Sequence, residues 1–191
     1  MSTPGTYYLS VDQQEHWAWF DHVFSADECA HIVGMFRENV YEAGIFSGLK
    51  EDVRRSNVKF FHPHHETNWI FERLANVVNS ANSQFFGFDL VSMSEGIQFT
   101  EYAGAGAHYT WHVDKGLRYA PRKLSLTVQI SDSSDYEGGN LEIWYDTEPL
   151  QMTRDQGSCL LFPSTMLHRV TPVTSGTRYS LVAWVTGPPF R

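Results

Sequence analysis

Two cysteines in 191 residues are too few for a disulfide framework. Cys29 and Cys159 each sit among apolar neighbours, which predicts buried, reduced thiols and suits a reducing cytoplasm. Long apolar runs are also missing. No stretch of about 18 apolar residues occurs, so no membrane span is expected. The opening MSTPGTYYLSVDQQEHW has neither a basic start nor an apolar centre, so no signal peptide is expected there. Positive charge is scarce. Fourteen Lys and Arg stand against 22 Asp and Glu, for a formal net charge of -8, which argues against non-specific nucleic-acid binding. There is no Gly-x-Ser-x-Gly elbow and no Gly-x-x-x-x-Gly-Lys-Ser/Thr phosphate loop. Internal repeats, low-complexity tracts and linkers are absent too.

What is there suits one compact domain over residues 1–191. The hydrophobic share is 42% and the aromatic share 15%, the latter favouring a β-rich interior. Trp17 to Phe24 reads as a strand. Ser25-Ala-Asp-Glu28 carries a capping-box signature, and the helix behind it runs to about Asn39, with Ile32, Val33 and Phe36 on its apolar face. Residues 44–57 read as a loop of mixed charge. A second helix spans roughly Glu66 to Asn82, with Ile70, Leu74, Val77 and Val78 at helical spacing. From about Phe88 the pattern changes to short strands. Ile97 to Tyr102 puts Gln98, Thr100 and Tyr102 on one face, and Leu124 to Ile130 puts Ser125, Thr127 and Gln129 opposite its apolar set. Further strands are expected at 141–145, 158–162, 168–172 and 178–185, with Thr174-Ser-Gly176 as a hairpin turn between the last two. Helical support over about 1–87 and a β core over about 88–191 imply a mainly β fold of the double-sheet jelly-roll kind, with flanking N-terminal helices. Small polar side chains on one strand face predict a cavity.

The chemistry gathers at His112-Val113-Asp114. On a strand, residues two apart point the same way, so an imidazole and a carboxylate face one ion. His168, 54 positions further on, supplies a third ligand. Two histidines and one carboxylate form the facial triad of non-haem Fe(II) oxygenases, with positions left open. Three-ligand hydrolytic zinc sites exist as well, so the triad alone leaves iron and zinc both open. Arg178 opens the strand Arg-Tyr-Ser-Leu-Val-Ala-Trp-Val, where a cation is costly unless an anion meets it. Its planar fork grips a carboxylate bidentately, and Ser180 shares its face. Tyr102 is placed to bond the same anion.

Tyr102, His112-Val-Asp114, Gly138-Gly139, Gly157, Pro163, His168 and Arg178-Tyr-Ser180 together resemble the Fe(II)- and 2-oxoglutarate-dependent dioxygenases, prolyl 4-hydroxylase-like branch. The segments EYAGAGAHYTWHVD, SDSSDYEGGNLEIW and GSCLLFPSTMLHRVTPVTSGTRYSLVAW, within residues 97–186, carry the resemblance. It implies a double-stranded β-helix (cupin-like) core, iron held by His112, Asp114 and His168, and Arg178 on the distal carboxylate of 2-oxoglutarate. Tyr102 matches a tyrosine that assists the co-substrate, with Ser180 or Thr127 beside it, and Gln129 lies near a position that often carries a co-substrate-binding tyrosine. Collagen-type members place a lysine where Arg178 stands, so this chain resembles the bacterial and oxygen-sensing types more. The implied activity couples oxidative decarboxylation of 2-oxoglutarate by O2 to hydroxylation of a C–H bond, with ascorbate as reductant. Retention of Asp114 favours hydroxylation over halogenation.

The expected substrate is a prolyl residue in a peptide or protein, with a free amino acid or small molecule as the alternative. The expected state is a monomer or weak homodimer. Two other readings are a non-catalytic cupin-like metal-binding module, against which Arg178 and Tyr102 argue, and a zinc hydrolase, which lacks an evident general base. Loop 44–57, with Lys50, Arg54 and Arg55, is a candidate lid. His108 and Trp111 flank the site. The histidines at 62, 64 and 65 read as an exposed loop, and Asp132, Asp135 and Glu137 as an acidic turn without EF-hand spacing.

Overall fold

A computed structural model describes residues 15–43, 50–116 and 121–189. The chain begins with β1 (Ala18–Phe20) and α1 (Ala26–Phe36), followed by β2 (Tyr41–Glu42), β3 (Arg54–Arg55), β4 (Asn57–Phe61) and α2 (Asn68–Ala81). Then come β5 (Ile97–Ala103), β6 (His108–His112), β7 (Arg122–Gln129), β8 (Tyr136–Gly138) and β9 (Leu141–Tyr145). The last elements are β10 (Glu148–Gln151), β11 (Cys159–Pro163), β12 (His168–Val170) and β13 (Val173–Thr186). Two antiparallel sheets result. The major one runs β1-β11-β7-β13-β5-β4-β2, with β8 also paired to β13, and the minor one runs β10-β9-β12-β6-β3. This is the double-stranded β-helix that the resemblance implied, a double-sheet arrangement in keeping with the strand pattern.

The capping box forms as read. Ser25 Oγ accepts from Glu28 N, and Glu28 returns a carboxylate to Ser25 N at 2.9 Å. Cys29, Ile32 and Phe36 of α1, with Ile70, Phe71, Leu74 and Val78 of α2, pack on Leu124, Leu126 and Val128 of β7 and Leu181 and Ala183 of β13. The alternate residues of β7 are buried too, because they face the space between the sheets. Its alternation therefore separates a helix-covered face from a cavity, as the polar set at 125, 127 and 129 foretold. Cys29 and Cys159 are buried and free. Burial pushes their thiols up to about 11 and about 12, which keeps both protonated and unreactive.

Four expectations are corrected. Residues 15–87 are not only helical support, since β1 to β4 extend both sheets. Only Ala18–Phe20 of the 17–24 stretch is strand, paired with β11 over three residues. Residues 44–49 of the candidate lid lie outside the described residues, and its remainder is only partly loop: after a turn at 51–53, Arg54 and Arg55 pair with Tyr109 and His108, and Asn57 pairs with Glu101. Residues 174–176 make no hairpin. The chain continues as one long strand that pairs first with β8 and then with β5 and β7. Gly176, at φ +75°, bends it without reversing it, where a Cβ would stand 2.0 Å from the Asp135 carbonyl oxygen.

Gly157 has a similar constraint with a larger consequence. At φ +78° a Cβ there would stand 1.9 Å from the Phe24 carbonyl oxygen, while its own N–H donates to Gln129 O at 2.7 Å. Backbone meets backbone, so nothing flexible can yield. Gly157→Ala is expected to cost about 2–3 kcal/mol, a Tm loss of about 5–10 °C for a chain of this size, measurable by calorimetry.

Candidate active site

His168 of β12 is the direct cross-strand partner of His112 in β6. The neighbouring strand of one sheet, rather than closure between sheets, brings the two imidazoles together, with ring centroids 4.1 Å apart. Asp114 lies two residues beyond His112, past the end of β6, so strand alternation does not aim it. Its carboxylate nevertheless reaches both rings, with His112 Nε2 at 3.7 Å from Oδ1 and His168 Nε2 at 3.6 Å from Oδ2. One ligating atom from each residue lies within 4.8 Å of the others, and this is the one such cluster among the described residues. The histidines at 62, 64 and 65 and the acidic turn at 132–137 make none; in that turn Asp132 instead accepts from Ser134 N at 2.8 Å.

The donor set suits a divalent metal. His112 Nδ1 lies 2.8 Å from the Thr110 carbonyl and His168 Nδ1 lies 3.0 Å from the Met166 carbonyl. A carbonyl can only accept, so each Nδ1 carries the proton and each Nε2 keeps its lone pair. Burial, with His168 beside it, pushes His112 down to about 3, which keeps it neutral at physiological pH. Burial by itself would favour neutral Asp114, but the two imidazoles and the Ser125 hydroxyl hold its carboxyl below the usual range. Ser125 Oγ donates to Asp114 Oδ2 at 2.6 Å, and shares a hydrogen bond with Ser164 Oγ at 3.0 Å. The indole N–H of Trp184 leans toward the same carboxylate without reaching hydrogen-bond geometry.

Deeper in the cavity stands Arg178, 2% exposed. Its cross-strand partner is Tyr102, whose ring centroid lies 5.5 Å from the guanidinium. Nη2 donates to Gln129 Oε1 at 2.9 Å and Nη1 approaches Ser180 Oγ at 3.4 Å, while Nε has no partner. A buried guanidinium with only neutral acceptors is an incomplete ion pair. The same cavity is lined by Thr127, Ser180, Tyr102 and the three triad side chains. Gln129 grips the arginine but is not part of the lining. The cavity has room for several waters, the scale of a small ligand.

Tyr109 went unread in the sequence. Its ring stacks on His112 at 3.5 Å and 16°, Arg54 lies 4.7 Å above it, and burial pushes its phenol up to about 12. Tyr109 lies three positions before His112, so period-two alternation puts them on opposite faces. The register shift between β6 and β12, where Val170 meets Tyr109 and His168 meets His112, is a bulge that turns both inward. Arg54, Gln98 and Trp184 also line the cavity. His108 does not; its ring lies against the Gly106 and Asp52 carbonyls. Trp111 packs outside, edge-on to Trp144 and under Arg169.

Residues 97–186 match the family described as the 2OG-Fe(II) oxygenase superfamily. A PKHD-type hydroxylase of Synechococcus sp. (strain CC9605) is 45% identical over 85 residues, 44% of this chain and 38% of that protein. One from Azoarcus sp. (strain BH72) is 40% identical over 88 residues, 42% of this chain and 38% of its own length. The chain thus matches well under half the length of these relatives. A prolyl hydroxylase from Trichoplax adhaerens, solved with a hypoxia inducible factor oxygen degradation domain peptide fragment, superposes with a TM-score of 0.76 at 13% identity, over 90% of this chain and 84% of that one. A Pseudomonas putida prolyl-4-hydroxylase gives 0.73 at 21% identity, over 90% and 92%.

Proposed function

We propose, because residues 97–186 match the family described as the 2OG-Fe(II) oxygenase superfamily, that the cavity between the sheets is the active site of a 2-oxoglutarate-dependent hydroxylase of the prolyl 4-hydroxylase-like kind. The observation that carries this reading is the joint presence, in one cavity, of a two-histidine, one-carboxylate cluster and a buried arginine lacking an anionic partner. A structural metal needs no such cation, and a zinc hydrolase would need a general base that the lining does not offer. When bound, iron(II) with 2-oxoglutarate and O2 supplies the oxidising power for C–H hydroxylation.

His112, Asp114 and His168 would hold the iron. Ser125 donates its proton to Asp114 Oδ2, the oxygen that also faces His168, and so orients the carboxylate. Arg178 would take the distal carboxylate of 2-oxoglutarate, completing the ion pair that burial leaves open, with Tyr102, Ser180 and Thr127 beside it. Gln129 fixes the guanidinium from behind. The apolar wall of Leu126, Leu141, Phe162 and Val182 excludes water and strengthens these charges. Tyr109, Arg54 and Trp184 line the cavity next to the triad and would meet the substrate. By likeness to the solved prolyl hydroxylases that substrate is a prolyl residue in a peptide or protein; ascorbate as reductant is part of the proposal and rests on the family resemblance alone. No described helix is long and apolar enough to cross a membrane; two buried, protonated thiols fit a reducing compartment such as the cytoplasm.

The test is aerobic release of succinate from 2-oxoglutarate with Fe(II), alongside detection of a +16 Da product in a peptide library. No succinate under any of these conditions, with zinc held tightly, would overturn the reading. Gln129→Leu separates the arginine's support from the metal. It should weaken 2-oxoglutarate binding about ten-fold, the scale of one lost hydrogen bond to a charged group, and leave metal affinity unchanged by calorimetric titration.

A further inference from the structure

Asp114 stands just past the end of β6, where the ladder with β12 no longer holds the chain. Two contacts from elsewhere fix its backbone. Lys115 N donates to Ser164 O at 2.8 Å, and Arg122 Nη1 donates to the carbonyl of Asp114 itself at 3.3 Å. Arg122 lies flat on Trp184, 3.7 Å from the ring centroid, and Trp184 is the residue whose indole leans toward the Asp114 carboxylate. Arg122 is only 6% exposed. A buried cation this near to a metal-binding carboxylate creates two difficulties. It repels a divalent ion, and its fork can turn and take the carboxylate for itself.

Glu95 removes both. It sits in the turn before β5 and binds Arg122 with both carboxylate oxygens, one receiving Nε at 2.7 Å and the other receiving Nη2. The fork is occupied along that edge, and Nη1 meets the backbone carbonyl of Asp114 rather than its side chain. The pair also ties the turn before β5 to the start of β7, which lies antiparallel to β13 and Trp184.

We propose that Glu95 is a positioning residue: by holding Arg122 it keeps the Asp114 carboxylate free and correctly placed, and so sets how tightly the site takes its divalent metal. This rests on the metal reading of His112, Asp114 and His168. It concerns a residue that touches neither metal nor substrate.

The test is Co(II) binding to the full chain without O2 or 2-oxoglutarate, followed by calorimetry and by the visible absorption of the bound ion. Glu95→Gln should raise the Co(II) Kd about ten-fold, the low end of what removing an outer support of a ligand costs, and change the absorption band. The double variant Glu95→Gln, Arg122→Met should recover to within about three-fold of the unaltered chain, because the competing cation is gone. A merely structural pair would give the opposite order, the double variant being no better than the single. Should Glu95→Gln fail to fold, Glu95→Asp keeps the charge with a shorter reach and should show a loss of about three-fold under the same comparison. A Kd for Glu95→Gln within two-fold of the unaltered chain, or a double variant as weak as the single, overturns the proposal. An unaltered chain that binds no Co(II) overturns the metal reading itself, and the proposal with it.

Discussion

Asp114→Asn is expected to abolish metal loading and, with it, turnover. The substitution is nearly isosteric, so the fold should survive. What changes is charge. Two neutral imidazoles and a neutral amide offer a divalent ion no anionic ligand, in a cavity too apolar to supply one from solvent. Affinity should fall by at least about 10²–10³, and succinate release by more than about 10³. Thermal denaturation provides a readout independent of activity. Metal at 100 times Kd stabilises a folded protein by about 2.7 kcal/mol, which for this size is a Tm gain of about 5–10 °C. The unaltered chain should show that gain with Fe(II) or Mn(II) under anaerobic conditions, and Asp114→Asn should show none. The metal-free variant should be somewhat less stable than the metal-free parent at neutral pH, since a carboxyl held below its usual range in the fold contributes stability as the carboxylate. A variant that still gains several degrees from metal would remove Asp114 from the ligand set.

Arg178→Met should produce the second-largest effect, at the other end of the cavity. The guanidinium is buried and bonded only to the neutral groups of Gln129 and Ser180, so its charge awaits an anion. Truncating one partner of a buried charge pair costs about 2–5 kcal/mol. The affinity for 2-oxoglutarate should therefore drop about 10²–10³-fold, with the Co(II) Kd unchanged. Arg178→Lys keeps the charge but presents a point donor instead of a fork, and should fall between the two. The split is what identifies the role. Metal affinity moves with Asp114 and not with Arg178, whereas co-substrate affinity with metal saturating moves with Arg178. If Arg178→Met bound 2-oxoglutarate as tightly as the parent, the acid would have to be held elsewhere. Its metal-free fold should be as stable as the parent's or more so, because an unpaired buried cation is removed.

How far these features could be read in advance depends on the distance over which their causes act. The capping box at Ser25 and Glu28, the apolar faces of the two helices, and the alternation of β5 and β7 are local, and each was legible. The chemistry of His112, Asp114, His168 and Arg178 stood out as unusual for their surroundings, and the structure brings the first three together and sets Arg178 in the same cavity. The misreadings were non-local. Arg54 and Arg55 have the composition of a loop, and only the free edge of β6 makes them a strand. Thr174-Ser-Gly176 has the composition of a turn, yet β8 on one side and β5 and β7 on the other keep the chain running straight on.

The sequence by itself determined the helices, the cavity-facing polar strands and the chemical nature of the proposed metal and anion ligands, since propensity, periodicity and side-chain chemistry act over a few residues. Tertiary structure alone decided which strands are neighbours, that Tyr109 turns inward at a bulge, that Gln129 serves Arg178 from behind, and that Glu95 holds Arg122 away from the Asp114 carboxylate. These depend on register between segments far apart in the chain. Strand pairing is fixed by the global burial of one sheet face against the helices and the other against the cavity, which no window of neighbouring residues contains.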